Sequence, residues 1–138
     1  MKIICVSTCL LFVLTGMPQK KGGSQIIITL NDSSGIHEKV KLALIKADFV
    51  VKELNSLDSV VTYPRELKTM NGVAVGQAKV KNNKVTLYGY YSLKKLNYFG
   101  YTKLSRDFKP IVYYKGSKLW PLLMKVARDL GGEITYKD

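Results

Sequence analysis

Two segments of alternating character surround an Asn-Asn pair near the middle of the chain. Gly72–Lys81 precedes Asn82 and Asn83, and Lys84–Tyr91 follows them. Asparagine tolerates the positive φ values that a tight two-residue turn requires. In the second segment, Val85, Leu87, Gly89 and Tyr91 alternate with Lys84, Thr86, Tyr88 and Tyr90. The pattern predicts an antiparallel hairpin with one face in the core and the other partly wet.

Two segments outside this hairpin show the apolar spacing of three and four residues that is typical of amphipathic helices. The first spans Ile36–Ala47, with a stripe formed by Ile36, Val40, Ala43, Leu44 and Ala47 and widened by Leu42 and Ile45. The stripe of the second consists of Leu119, Leu122, Leu123, Val126, Ala127 and Leu130. Pro121 fits its first turn, and Gly131-Gly132 should end it.

Shorter segments rich in β-branched residues predict the remaining strands. They are Gln25–Asn31, Asp48–Leu54, Ser59–Tyr63 and Glu133–Lys137. Tyr98–Leu104 and Lys109–Lys115 are left unassigned, although Ile111–Tyr114 has strong strand propensity. The order β-α-β-β-β-β-α-β predicts an α+β domain, in which two helices pack on one face of an antiparallel sheet.

The N-terminal segment resembles a secretory signal peptide. An uncharged run, Ile3–Leu14, follows Lys2 and ends at Thr15-Gly16. It is too short for a transmembrane helix, which needs about 20 apolar residues. We therefore predict a signal peptide over residues 1–16, a flexible Lys-, Gly- and Ser-rich tether over 17–24, and a single domain over 25–138. Export to the periplasm or cell envelope follows from this division.

Cysteine usage agrees with that division. Cys5 and Cys9 are the 2 cysteines of the chain, and both lie within the predicted signal peptide. The exported domain would then contain no disulfide and no thiolate metal site. The stretch LFVLTG at residues 11–16 resembles the sequence before the lipidated cysteine of bacterial lipoproteins. Met17 stands where that cysteine would be, so we predict that the chain is not lipidated.

The charge of the chain is strongly asymmetric. Lys and Arg total 22 against 10 Asp and Glu, which gives a net charge of +12 at pH 7. A surface of this kind favours anionic partners, such as lipid headgroups, acidic polysaccharide or nucleic acid. Association with a membrane would then depend on charge.

Catalytic and metal-binding patterns are weak. His37 is the single histidine, at the start of the first predicted helix, where a solvated position is expected. Zinc sites need three or four His, Cys or carboxylate ligands, and the acidic residues are scattered singly along the chain. We therefore predict no catalytic residue, no metal and no cofactor.

Tyrosine and lysine interleave in the second half of the chain. The candidate binding surface consists of Tyr88, Tyr90, Lys94, Lys95, Tyr98, Tyr101, Lys103 and Tyr113. Rings that stack and cations that pair suit a groove for sugars or single-stranded nucleic acid. The alternative is structural, because cross-strand tyrosine pairs stabilise sheets and edge lysines discourage aggregation.

The segment Leu42–Tyr63, LALIKADFVVKELNSLDSVVTY, resembles a pattern in small exported bacterial envelope proteins. Among them are the helix-grip modules of the lipoprotein that accompanies the β-barrel assembly machinery, and exported proteins of Bacteroides-like bacteria. The resemblance implies a binding or scaffolding role in the cell envelope. The leading hypothesis is a non-enzymatic module that binds an anionic envelope component or a partner protein. The alternatives are a nucleic-acid-binding domain, if the N-terminal run is not a signal, and a carboxylate-based hydrolase.

Overall fold

The computed structural model describes residues 21–53, 58–96, 102–104 and 107–138, with the backbone alone at 95–96 and 102–104. The predicted signal peptide lies outside these residues. The described part contains β1 (Gln25–Thr29), α1 (Ile36–Lys46), β2 (Ser59–Val61), β3 (Arg65–Leu67), β4 (Gly72–Lys81), β5 (Lys84–Leu96), β6 (Thr102–Leu104), β7 (Lys109–Pro110), α2 (Trp120–Leu130) and β8 (Glu133–Lys137).

The sheet is organised around the long strand β5. β4 pairs with it from Gly72↔Leu93 to Lys81↔Lys84, and β2 and β3 pair with the outer side of β4. β1, β7 and β6 also pair with β5, and β8 pairs with β1. Every pairing is antiparallel, and Asn82 has a φ of 55° in the turn. The predicted hairpin is therefore confirmed, although β5 extends five residues beyond Tyr91 to Leu96.

Both helices pack on one face of this sheet, as predicted for an α+β fold. α1 contacts β2 and β4, α2 contacts β1 and β5, and the helices contact each other. The largest fully buried side chains include those of Ile26, Leu44, Leu87 and Leu123. Burial of such side chains is worth about 1.5–3 kcal/mol each, so this layer is the main source of stability.

Two glycines opposite each other in β4 and β5 let the helices approach the sheet. Gly76 pairs with Gly89. A Cβ added at Gly76 would lie 3.3 Å from Leu44 Cδ2 of α1, and one added at Gly89 would lie 3.2 Å from Leu123 Cδ2 of α2. Because these two glycines lack side chains, Leu44 of α1 and Leu123 of α2 can pack directly on the backbone of the sheet.

The strand predicted over Asp48–Leu54 is wrong in its described part, which ends at Glu53. The chain turns sharply after α1, with Asp48 at a φ of 65°. Phe49 then enters the core, and a single bridge, Val51↔Thr62, is the β pairing there. Burial of the Phe49 ring outweighs the strand propensity of the neighbouring valines.

The helical stripe is narrower than predicted. Leu42 and Ile45, expected to widen it, are 55% and 53% exposed. Val40 and Leu44 are fully buried, whereas Leu42 and Ile45 lie on the solvent-facing side of a helix that is covered on one side.

Two short strands lie outside the predicted elements. Lys109–Pro110, within the unassigned segment Lys109–Lys115, forms β7, and Arg65–Leu67 forms β3. Gly22–Ser24, expected in the tether, are hydrogen-bonded: Gly22 N donates to Tyr113 O, Tyr113 N to Gly23 O, and Ser24 N to Lys137 O, at 2.8, 2.8 and 3.1 Å. These backbone hydrogen bonds hold residues 22–24 beside Tyr113 and the end of β8.

The turn before α1 is stabilised by Asp32 and not by a side-chain cap of the helix. Gly35 occupies the N-cap position without a side-chain hydrogen bond. Asp32 instead accepts hydrogen bonds from Ser34 N at 2.9 Å and Ser34 Oγ at 2.7 Å. These bonds, together with the nearby charge of Lys39, lower the pKa of Asp32 below its usual 3.8.

Candidate binding face of the sheet

The open face is the side of the sheet opposite the two helices. In β5, buried Val85, Leu87 and Gly89 alternate with half-buried residues that point away from the helices. The half-buried and exposed members of the open face are Gln25, Ile27, Thr29, Val75, Gln77, Lys79, Lys81, Lys84, Thr86, Tyr88, Tyr90, Lys94, Glu133, Thr135 and Lys137. The face is polar and carries five lysines.

A cluster of two rings and a cation lies at its centre. The rings of Tyr88 and Tyr90 lie edge to face, with centroids 6.0 Å apart and an interplanar angle of 87°. Lys79 Nζ lies 5.8 Å from the centroid of the Tyr88 ring. This separation is within the range of a cation–π interaction. The hairpin register explains the contact, because Lys79 pairs with Thr86 and is therefore diagonal to Tyr88.

A depression of about 380 Å³ adjoins this cluster. Its lining residues are Ser24, Gln25, Lys79, Thr86, Tyr88, Gly89, Tyr90 and Pro110. β1 pairs with β5 as far as Leu87, and β7 pairs with Tyr90 and Tyr91. The depression therefore lies at the gap between β1 and β7 along the same edge of β5.

The charges of the open face are mostly positive, and Glu133 is the one carboxylate among the members named above. Lys79, Lys81, Lys84 and Lys137 are exposed. The salt bridges among described residues involve Lys41, Lys46, Arg65, Lys94 and His37, and not these four lysines. None of the described lining residues is a carboxylate. The depression therefore presents cationic and neutral polar groups beside two phenol rings.

Two of the predicted binding residues, Tyr88 and Tyr90, meet at this site. Lys94 is also on the open face, but its Nζ lies 2.6 and 2.8 Å from the two carboxylate oxygens of Glu66. This bidentate contact partly neutralises the charge that Lys94 was expected to offer to a ligand. Lys95 and Lys103 are paired across β5 and β6, where the backbone alone is described.

Tyr113 does not belong to the open face. Its ring centroid lies 5.8 Å from that of Trp120 on α2, and it packs against the core on the helix side. The structure therefore does not bring Tyr113 together with Tyr88 and Tyr90. Tyr98 and Tyr101 lie outside the described residues.

The binding residues predicted from the sequence do not include Lys79, Gln25 and Thr86, which line the depression. Lys79 could have been found, because a two-residue turn at Asn82-Asn83 fixes the register and places Lys79 opposite Thr86. Gln25 could not have been found in this way, because its position at the depression depends on the pairing of β1 with β5, and these two strands are far apart in sequence.

The prediction that His37 is solvated is also wrong, because most of its side chain is buried. The His37 side chain is 22% exposed, and its Nδ1 lies 3.8 Å from Glu38 Oε1. Its Nε2 is buried without a hydrogen-bond partner among described residues. In that part of the chain, no group of three His, Cys, Asp or Glu residues is arranged to hold a metal ion.

No helix within the described ranges has both the length and the apolar character needed to cross a membrane. Comparison of the chain with protein-family models, curated protein sequences and solved structures gives no match.

Proposed function

We propose that this protein is a non-enzymatic binding module of the bacterial cell envelope, and that its open face binds an acidic polysaccharide. The observation that carries the proposal is the cluster of Lys79, Tyr88 and Tyr90 beside a polar depression. Export, predicted from residues 1–16, would bring the open face into contact with acidic envelope polymers.

The chemistry of the cluster suits an acidic sugar. A sugar ring has apolar faces that pack on aromatic rings, and its hydroxyls need polar partners such as Gln25 and Thr86. A carboxylate or phosphate on the same sugar would pair with Lys79, and the exposed lysines around it would attract further negative charges along a polymer. A ligand of this class uses every kind of group present at the depression.

The arrangement of the rings argues against a purely structural role for the tyrosines. Tyr88 pairs with Gln77 across the sheet, and Tyr90 pairs with Val75, so neither ring faces another tyrosine on the neighbouring strand. The cross-strand tyrosine pair expected from the structural alternative is thus absent at these two positions.

The test measures binding of an oligogalacturonate to the full chain by calorimetry or fluorescence. The variants are Lys79→Gln and Tyr88→Leu. We expect each to weaken binding roughly three- to tenfold, because contacts of these kinds are worth about 0.5–1.5 kcal/mol. The salt dependence of binding should also become shallower in Lys79→Gln, because fewer screened charge contacts remain.

The chain offers a matched control for both variants. Lys52 Nζ lies 5.1 Å from the centroid of the Tyr63 ring, away from the depression. Lys52→Gln and Tyr63→Leu therefore remove the same chemistry elsewhere and should leave binding unchanged. Equal losses in the two pairs of variants would show that net charge, and not the open face, determines binding.

The remaining outcomes separate the alternative functions. A neutral oligosaccharide of the same length should bind weakly. Preference for a single-stranded oligonucleotide over oligogalacturonate, lost in Tyr88→Leu, would favour the nucleic-acid hypothesis. Release of reducing ends from the oligosaccharide, lost when a carboxylate is replaced by its amide, would favour the hydrolase hypothesis.

A further inference from the structure

The outer face of α1 carries two exposed aliphatic side chains. Leu42 and Ile45 are 55% and 53% exposed, although the same helix buries Val40 and Leu44 completely. Residues three apart are neighbours on a helix surface, so Leu42 and Ile45 form one apolar patch. This outer face of α1, defined by Lys39, Leu42, Ile45 and Lys46, lies on the side of the protein opposite the open face.

Cations surround the apolar patch. Lys39 lies one turn before Leu42, and Lys46 lies one turn after it with a 66% exposed side chain. The neighbouring helix α2 adds exposed Lys125 and Arg128. The helix layer thus combines a small apolar patch with a cationic border.

Two carboxylates in the helix layer oppose this charge in part. Glu38 lies 3.5 Å from Lys41 Nζ, and Asp129 lies 3.7 Å from Lys46 Nζ. Exposed ion pairs of this kind are weak, so an anionic surface can compete for the same cations. The five cations of the two helices outnumber these two carboxylates.

We propose that the outer face of α1 docks on an anionic lipid bilayer, with Leu42 and Ile45 entering the headgroup region and the surrounding lysines contacting lipid phosphates. Amphipathic helices bind membrane surfaces through this combination of apolar and basic residues. Each lysine near an anionic surface strengthens binding about fivefold. The open face then points away from the bilayer and stays accessible to its ligand.

A second copy of the chain fits this surface less well. A stable interface needs about 800 Å² from each partner, which is far more than two half-exposed side chains supply. Two copies meeting through this face would also bring their cations together. A bilayer has neither difficulty, because it is anionic and continuous.

Vesicle binding tests the proposal with the full chain. Vesicles of phosphatidylcholine with phosphatidylglycerol should bind it more tightly than vesicles of phosphatidylcholine alone. Leu42→Gln/Ile45→Gln should weaken binding to the anionic vesicles about tenfold, which corresponds to 1.4 kcal/mol. Lys39→Gln should weaken it about fivefold, from the worth of one lysine near the surface.

Leu93→Gln is the matched control, because Leu93 is 44% exposed on β5 and lies outside the helix layer. This variant should bind the anionic vesicles as the unsubstituted chain does. Circular dichroism and urea unfolding establish that each variant is folded. Substitutions of exposed residues are expected to leave the midpoint of urea unfolding nearly unchanged.

A second measurement locates the contact whatever the N-terminal segment contributes to overall affinity. Cys5→Ser/Cys9→Ser provides a background for a single environment-sensitive fluorophore, attached through Leu42→Cys or through Thr135→Cys on the open face. With anionic vesicles, emission at position 42 should shift to the blue and emission at position 135 should not.

Three results would overturn the proposal. The first is bound protein whose fluorophore at position 42 stays in water, and the second is a larger blue shift at position 135. The third is a dimer in solution that Leu42→Gln/Ile45→Gln converts to a monomer without any change in vesicle binding. Oligogalacturonate binding is measured without lipid, so its result stands apart from all three.

Discussion

Replacement of the two facing glycines by alanine should give different changes in stability, although Gly76 and Gly89 pair with each other on adjacent strands. At Gly89 a Cβ would lie 3.0 Å from Ile111 Cδ1, 3.0 Å from the backbone oxygen of Val75 and 3.2 Å from Leu123 Cδ2. The backbone oxygen cannot move without disturbing the pairing of β4 with β5. Overpacking of this kind costs about 1–3 kcal/mol, so Gly89→Ala should destabilise the fold by that amount.

Gly76 offers more room for the same methyl group. Its nearest neighbour would be Leu44 Cδ2 at 3.3 Å, the end of a flexible side chain, and the next two atoms lie at 3.7 Å. Neither glycine has a positive φ, so alanine fits both backbones. Gly76→Ala should therefore be neutral or stabilise by up to about 1 kcal/mol, because alanine restricts the unfolded chain.

Urea unfolding followed by circular dichroism measures both changes on the same scale. The informative quantity is the difference between the two variants, because the effect of alanine on the unfolded chain is common to them. Equal changes in stability at both positions would contradict the prediction that Ile111, Leu123 and the Val75 backbone oxygen leave no room for a methyl group at Gly89.

Two further predictions concern stability. Leu123→Ala should destabilise by about 2–5 kcal/mol in the same urea experiment, because Leu123 is fully buried above Gly89 and its removal leaves a cavity; a loss below 1 kcal/mol would show that α2 is not docked there. Asp32→Asn should reduce the loss of stability in acid, measured by thermal unfolding from pH 6 to pH 2. The lowered pKa of Asp32 contributes stability above its usual 3.8 that disappears as pH falls through the folded value, and asparagine keeps the acceptor for Ser34 N without the charge.

Local sequence signals were enough for the fold class and for much of the layer structure. The alternation around Asn82-Asn83 fixed both strands of the hairpin, and Gly131, at a φ of 72°, ends α2 as its sequence position indicates. Tertiary contacts decided the exceptions. Phe49 has high strand propensity and lies in an apolar segment. It is nevertheless outside any strand, because its ring is buried beside Arg65 and Gly76.

The candidate site was predictable to the extent that it lies within one hairpin. Tyr88 and Tyr90 share a face because side chains alternate along a strand, and Lys79 follows from the same register. Composition alone grouped Tyr113 with them, but its backbone pairs with Gly22 and Gly23 and its ring packs on Trp120. The ion pair of Lys94 with Glu66 depends on β3, which the sequence did not indicate.

The most direct test of the binding face is a titration of the isotope-labelled chain with oligogalacturonate, followed by backbone amide NMR shifts. The proposed function predicts saturable shifts concentrated at Gln25, Lys79 and the segment 86–90, which surround the depression. The shift changes of amides in α1 and α2, on the other side of the sheet, should be no larger than those caused by a neutral oligosaccharide. Shifts centred on the helices, or small shifts spread evenly over the lysines of the whole surface, would contradict the assignment of the open face as the binding site.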